Sequence, residues 1–236
     1  MIEGVFFDLY GTLLIYGDMD AALQAQIITF HRFLLEKGGD ISLEQLATQY
    51  VNIMGQPASF ASPNLSPFEN QLEEVCRAVG KHMPPDEISQ LAPRIVSAWQ
   101  SFITLDPFSL PLIKSLHQRY RTALISNFDY PPHIVNLLSN LGMKACFDSI
   151  VVSGTVGITK PDRRIFEIAL EETRLEASNV VFVGDTAVDV QGAKNSGLLP
   201  VLIQRPGTAP LDPEIISNVK MITDLSQLPD WLGQLG

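Results

Sequence analysis

An α/β protein with an open, mostly parallel, Rossmann-like sheet, helices on both faces and an inserted all-helical region is the fold class these 236 residues predict. Three observations carry it. From about residue 105 onward, short β-rich runs alternate with helical periods. One further β-rich run stands apart near residue 5. The stretch between them, residues 17–104, has helical periodicity with good caps and little strand character. The expected division is an α/β core made of residues 1–16 and 105–236, with residues 17–104 forming a helical cap domain inserted into it.

The elements follow in order. Val5-Phe6-Phe7 is apolar on consecutive positions, the mark of a strand covered on both faces, and it runs into Asp8 and the turn signal Gly11-Thr12. A helix is expected from Met19 to Lys37, stopped by Gly38-Gly39. A second starts at Ser42, with Gln45 completing a capping box, and stops near Gly55. Residues 55–66 are rich in Pro, Ser, Asn and Gly and read as a loop suited to a substrate-facing lid. Ser66-Pro67-Phe68-Glu69 then supplies an N-cap, a first-turn proline and a capping glutamate. The last helix of the insert, about Asp86 to Ile103, contains Pro93, which should kink or break it. Beyond Asp106-Pro107 come a helix over Leu110–Tyr120, a strand over Thr122–Ile125, and a helix over Pro132–Leu141, ended by Gly142 and N-capped by Asp129. A strand over Ser149–Val152, a helix over Asp162–Thr173 and a strand over Val180–Val183 follow. A helix over Ala187–Ser196, ended by Gly197, and a strand over Pro200–Ile203 complete the alternation.

Composition excludes some partners. Twenty-six acidic against sixteen basic residues give a net charge of −10, which repels nucleic-acid backbones and anionic lipid surfaces, so neither is an expected partner. A small anionic substrate stays compatible, because a bound cation reverses the local sign of charge. The run MIEGVFFDLYGTLL has no basic n-region and is broken by Asp8, and Cys76 and Cys146 are far apart, without ligand spacing. A cytoplasmic protein is the expectation. No stretch approaches the ~18 uninterrupted apolar residues of a membrane span.

Open parallel sheets bind ligands beyond the carboxyl ends of their strands. Three predicted strands end in polar residues there: Phe6-Phe7-Asp8, Ile125-Ser126-Asn127 and Val183-Gly184-Asp185. Lys160 lies in a loop following a fourth. Carboxylates at the ends of buried strands are unfavourable unless paired or metal-bound, and two facing each other are more so. A cation relieves both, and Lys160 neutralises part of the charge.

Asp8-Leu9-Tyr10-Gly11-Thr12 resembles the first motif of the haloacid dehalogenase superfamily. Ser126-Asn127 resembles its second motif, Lys160-Pro161-Asp162 its third, and Gly184-Asp185-Thr186-Ala187-Val188-Asp189 its fourth. The insert resembles the family's helical cap. The resemblance implies that Asp8 is a nucleophile forming a covalent aspartyl intermediate. It places Tyr10, Ser126, Asn127 and Lys160 with Asp8 in the catalytic set, assigns Thr12, Ser126, Asn127 and Lys160 to substrate binding, and Mg²⁺ to Asp8, the backbone carbonyl of Tyr10 and Asp185, with Asp189 as an outer-shell anchor.

Two departures divide the activity the resemblance implies. Phosphatases of the family carry an aspartate two residues after the nucleophile, as general acid; Tyr10 stands there, as in the 2-haloacid dehalogenases. Those dehalogenases use no metal, have a serine-rich fourth motif, carry a tyrosine where Phe166 stands here, and bind halide through a cap arginine for which Arg32 is at a different spacing. Without a cation, Asp185 would raise the pKa of one of the paired carboxylates and weaken the nucleophile. The expectation is therefore an Mg²⁺-dependent phosphatase of a small phosphorylated metabolite. A metal-independent 2-haloacid dehalogenase is the alternative, and a non-catalytic phosphate- or metal-binding protein a third reading.

Overall fold

The structure is a computed structural model and describes residues 1–57, 62 and 64–235. In chain order the elements begin with β1 (Gly4–Phe7), β2 (Leu14–Tyr16), α1 (Met19–Glu36), α2 (Leu43–Met54), α3 (Pro67–Ala78) and α4 (Pro85–Gln100). They continue with β3 (Ile103–Leu105), α5 (Ser109–His117), β4 (Arg121–Ser126), α6 (Pro131–Asn140), β5 (Ser149–Val152) and α7 (Ser153–Val156). The last are α8 (Arg163–Thr173), β6 (Val180–Gly184), α9 (Ala187–Ser196), β7 (Leu199–Ile203), β8 (Lys220–Ile222) and α10 (Leu228–Gly233). The chain divides into two compact units. One comprises Met1–Ile15, Leu105–Phe128 and Ile134–Gly236, the other Tyr16–Thr104 and Asp129–His133.

The first unit holds a six-stranded sheet in the order β5-β4-β1-β6-β7-β8, parallel throughout. This is the Rossmann-like α/β fold. The chain winds outward from β1 through β4 to β5, then returns to the other side of β1 with β6. The strand order therefore reverses at the centre, where open α/β sheets form their crevice. Every residue of β1 and β6 is buried, which is why their sequences are apolar runs and not alternations. Phe6, Ala123, Ile125, Val151 and Phe182 pack with Ile165, Phe166 and Ala169 of α8 and Ala193 of α9 on one face. Each fully buried large side chain there contributes roughly 1.5–3 kcal/mol. Gly192 of α9 lets that helix close on the core, because a Cβ there would stand 2.5 Å from the Phe166 ring.

The second unit is helical. Its core includes Ile27, Phe30, Phe33 and Leu34 of α1, Leu46 and Tyr50 of α2, Leu72 and Val75 of α3, and Leu91 and Ile95 of α4. α3 starts as expected: the Glu69 amide donates to Ser66 Oγ at 3.3 Å and the Ser66 amide to Glu69 Oε2 at 2.8 Å. Among the described residues, no helix is long and apolar enough to cross a membrane.

Some local expectations are corrected. α4 runs unbroken through Pro93. A proline inside a helix costs ~3 kcal/mol, which the burial of Ile88, Leu91, Ala92, Ile95 and Val96 on the same helix outweighs. α4 ends at Gln100, and Ile103 opens β3 instead of closing a helix. α5 stops at His117, short of Tyr120. α6 begins at Pro131, which puts the flanking cap position on Tyr130. Asp129 instead offers its backbone carbonyl to the Phe68 amide at 3.1 Å. β2, β3 and β8, three residues each, show no period to read. The expected lid over 55–66 falls partly on 58–61 and 63, which lie outside the described residues.

Candidate active site

Strand register builds the site. Phe7 of β1 pairs with Leu124 of β4 and Val183 of β6, so the residues just beyond these strands arrive together at one sheet edge. Asp8 follows Phe7, and its amide continues the ladder to the Val183 carbonyl at 2.9 Å. Ser126 ends β4, and Asp185 follows Gly184 at the end of β6. The fourth polar point, Lys160, comes from the connection between α7 and α8. Asn127 fixes it there in two bonds: the Lys160 amide donates to Asn127 Oδ1 at 2.8 Å, and Asn127 Nδ2 donates to the Lys160 carbonyl at 3.1 Å.

The buried Lys160 ammonium donates to Asp8 Oδ1 at 2.6 Å and to Asp189 Oδ1 at 2.7 Å. Asp189 is doubly used. Its second oxygen accepts from the Thr186 amide, at 3.0 Å, and from the Thr186 hydroxyl, which forms the capping box of α9. Lys160 and Thr186 thus engage both oxygens of Asp189. Asp185 accepts from the buried Thr12 hydroxyl at 3.5 Å. One oxygen from each of Asp8, Asp185 and Asp189 lies within 4.8 Å of the others.

This crowding shows in the titration of the groups. Burial pushes Asp8 up to about 6; Lys160 opposes the rise and Asp189 adds to it. Burial also raises Asp185 to about 7, with the charges of Asp8 and Asp189 reinforcing the shift. For Lys160, burial acts downward, but Asp8 and Asp189 more than reverse it and its pKa is raised.

The donor set suits a hard divalent cation. It is all carboxylate oxygen, and with Asp189 committed elsewhere, Asp8 and Asp185 are the two carboxylates left to hold one. The turn after Asp8 passes close to Asp185. Gly11 has φ +87°, and a Cβ there would lie 2.0 Å from Asp185 Oδ2, so only glycine lets the backbone pass so near. Ser126 Oγ is buried and has no hydrogen-bond partner among the described residues, as a donor aimed at a ligand would be.

The structure therefore brings together Asp8, Lys160, Asp185 and Asp189, with Thr12 directed at Asp185 and Asn127 supporting Lys160. Tyr10 stacks on Phe128, ring centroids 5.3 Å apart, and Phe128 is anchored through its amide to Ser153 Oγ at 2.9 Å. Phe166 belongs to the core. It is buried edge-on against Phe182, centroids 5.0 Å apart, which suits a core residue.

Several residues that shape the site escaped the sequence reading. Arg205 donates Nε to the Gly11 carbonyl at 3.1 Å and Nη2 to the Thr12 carbonyl at 2.7 Å, and pairs with buried Asp106 at 2.7 Å. The available signal was its position just past the carboxyl end of β7. Phe128 and Ser153 carried none.

The chain matches the haloacid dehalogenase-like hydrolase family over residues 2–197 and belongs to it. It is 26% identical to an (S)-2-haloacid dehalogenase of Pseudomonas sp. (strain YL) over 238 residues, covering 98% of this chain and 89% of that one. Among solved structures, a 2-haloacid dehalogenase from Pseudomonas syringae pv. Tomato DC3000 superposes with a TM-score of 0.72 at 23% identity, covering all of both chains. A HAD phosphatase from Thermococcus onnurineus superposes with a TM-score of 0.68 at 21% identity, covering 98% of each. Both structural likenesses are likenesses of fold.

Proposed function

We propose that this hydrolase is an Mg²⁺-dependent phosphatase of small anionic metabolites, acting through a covalent intermediate on Asp8. The observation that carries the reading is Asp185, a second carboxylate beside the nucleophile, while the Lys160 ammonium is shared between Asp8 and Asp189. Asp8, Asp185 and the backbone carbonyl of Tyr10 would hold the ion, with Asp189 behind them. The ion would supply charge neutralisation at the carboxylates and the phosphoryl oxygens.

The chain's own residues account for the rest. An Asp8 oxygen attacks phosphorus, and the bond from phosphorus to the substrate oxygen breaks with its electron pair going to that oxygen, which takes up a proton. Water then attacks phosphorus, releasing inorganic phosphate and regenerating the Asp8 carboxylate. Lys160 orients Asp8 and offsets the charge gathered there. Ser126 donates its unpaired hydroxyl to a phosphoryl oxygen, and Asn127 holds Lys160 in register. Thr12 steadies Asp185. Tyr10, whose hydroxyl has a reference pKa of about 10, is a slow proton donor to the leaving oxygen. Phosphates with good leaving groups should therefore outpace alkyl phosphates by ~10²- to 10⁴-fold, the usual contribution of a general acid.

The test is turnover of p-nitrophenyl phosphate with and without Mg²⁺. Activity is expected to require the ion and to vanish in Asp8→Asn; undiminished activity after complete chelation would sink the proposal. A metal-independent 2-haloacid dehalogenase is the second reading, supported by Tyr10 and by the near full-length likeness to an (S)-2-haloacid dehalogenase. It requires halide release from 2-chloropropionate in the presence of chelator.

A further inference from the structure

Three consecutive backbone carbonyls in the turn after the nucleophile are each held from a distant part of the chain. Arg205 takes those of Gly11 and Thr12. The Leu13 carbonyl accepts from Ser109 Oγ at 2.8 Å and from the Asp106 amide at 3.1 Å. Asp106 closes the arrangement. It is 2% exposed, accepts the Phe108 amide at 2.7 Å through one oxygen, and pairs with Arg205 Nη1 through the other.

A guanidinium is suited to this. Its planar fork serves two carbonyls and a carboxylate at once in a fixed geometry, which a lysine ammonium on a flexible stem does not reproduce. Buried ion pairs are also poor stabilisers compared with apolar packing of the same volume, so fold stability gives little reason for a charged pair here. What the pair holds is informative. The turn it grips carries the Tyr10 carbonyl and presses Gly11 against Asp185, where even a Cβ has no room. A shift of this turn would move the carbonyl and Asp185 out of register with Asp8.

We propose that Arg205, locked by Asp106, is a positioning residue that sets the turn between Asp8 and Leu13, and through it the affinity of the site for its divalent cation. This inference rests on the metal-dependent reading above. It belongs to residues outside all four motifs.

The test compares wild type with Arg205→Lys and with the double variant Arg205→Met/Asp106→Asn, which leaves no buried carboxylate unpaired. Three quantities are read: the Mg²⁺ concentration giving half-maximal thermal stabilisation, kcat and KM for p-nitrophenyl phosphate, and the metal-free Tm. Outer partners of metal ligands are worth about 10- to 100-fold in affinity, and a 1 Å misplacement of reacting groups about 10²-fold in rate. Both variants are expected to need at least about 10-fold more Mg²⁺ and to lose about 10²-fold in kcat with little change in KM. Their metal-free Tm should stay close to wild type. Wild-type Mg²⁺ dependence and kcat in Arg205→Lys would overturn the inference, as would a lowered Tm with kcat per folded molecule unchanged. Should the double variant not fold, Arg205→Lys decides. A wild type whose Tm and turnover ignore Mg²⁺ overturns the phosphatase reading and this inference with it.

Discussion

The two ends of the parallel sheet carry two charge clusters of opposite character. At its amino end, Arg121 donates to Asp148 Oδ1 at 2.7 Å, the Thr122 amide donates to Asp148 Oδ2 at 2.9 Å, and His117 Nδ1 stands 3.6 Å from the same carboxylate. Burial pushes Asp148 up, but the Thr122 amide and the Arg121 charge outweigh it and the group is held below the usual carboxylate range. At the carboxyl end, buried Asp8 and half-buried Asp185 stand with too little positive charge between them, and both are raised. One cluster is neutralised by the protein's own groups; the other holds three carboxylates around a single ammonium. Perturbed carboxylates gathered at a crevice mark a functional site for that reason. Ion pairs alone do not.

Substitution should separate the ends cleanly. Asp8→Asn is expected to remove turnover by ~10⁴-fold or more, the scale of losing a nucleophile, with the Tm of the metal-free protein undiminished; steady-state kinetics and calorimetry check both. Asp185→Asn should lower turnover by about 10²-fold or more. It should also abolish stabilisation by Mg²⁺ and raise the metal-free Tm at pH 8, read by thermal melts with and without the ion. At the other end, Asp148→Asn should leave turnover unchanged and lower stability by about 1 kcal/mol, or roughly 2–4 °C in Tm.

The pH dependence should have opposite signs at the two ends. Asp8 and Asp185 hold their protons more tightly folded than unfolded. Their contribution to metal-free stability is full below the unfolded pKa of 3.8 and is lost as pH rises through about 6 and 7. Asp148, depressed, contributes above the unfolded value and loses its contribution as pH falls through its folded pKa. Melts from pH 3 to 9 should show Asp185→Asn flattening the alkaline decline and Asp148→Asn flattening the acid one. Identical profiles in the two variants would dissolve the contrast.

Much of the site could be read from the chain because a parallel sheet makes strand ends converge: Asp8, Ser126 and Asp185 needed only the rule that ligands bind there. Lys160 joined them through its motif. The sequence expectation for Asp189, an outer-shell anchor, did not include its bonds to Lys160 and to the α9 cap, since both carboxylate oxygens are claimed through tertiary geometry. The Arg205–Asp106 pair was illegible for a stronger reason. It links residues nearly a hundred positions apart to a turn almost two hundred positions from Arg205, and no local pattern encodes that. In the fold, long apolar runs and capped helices were clear. Three-residue strands and the tolerance of α4 for Pro93 were not, because packing and not local preference decides them.

The most direct measurement is calorimetric titration of Mg²⁺ into the metal-free protein near pH 6.5, in buffers of different ionisation enthalpy. A cation needed between Asp8 and Asp185 should bind at one site and displace protons from the raised carboxylates, and Asp185→Asn should not bind it. Absence of binding by wild type, or binding without proton release that survives in Asp185→Asn, would contradict the claim that this pair is built around a metal.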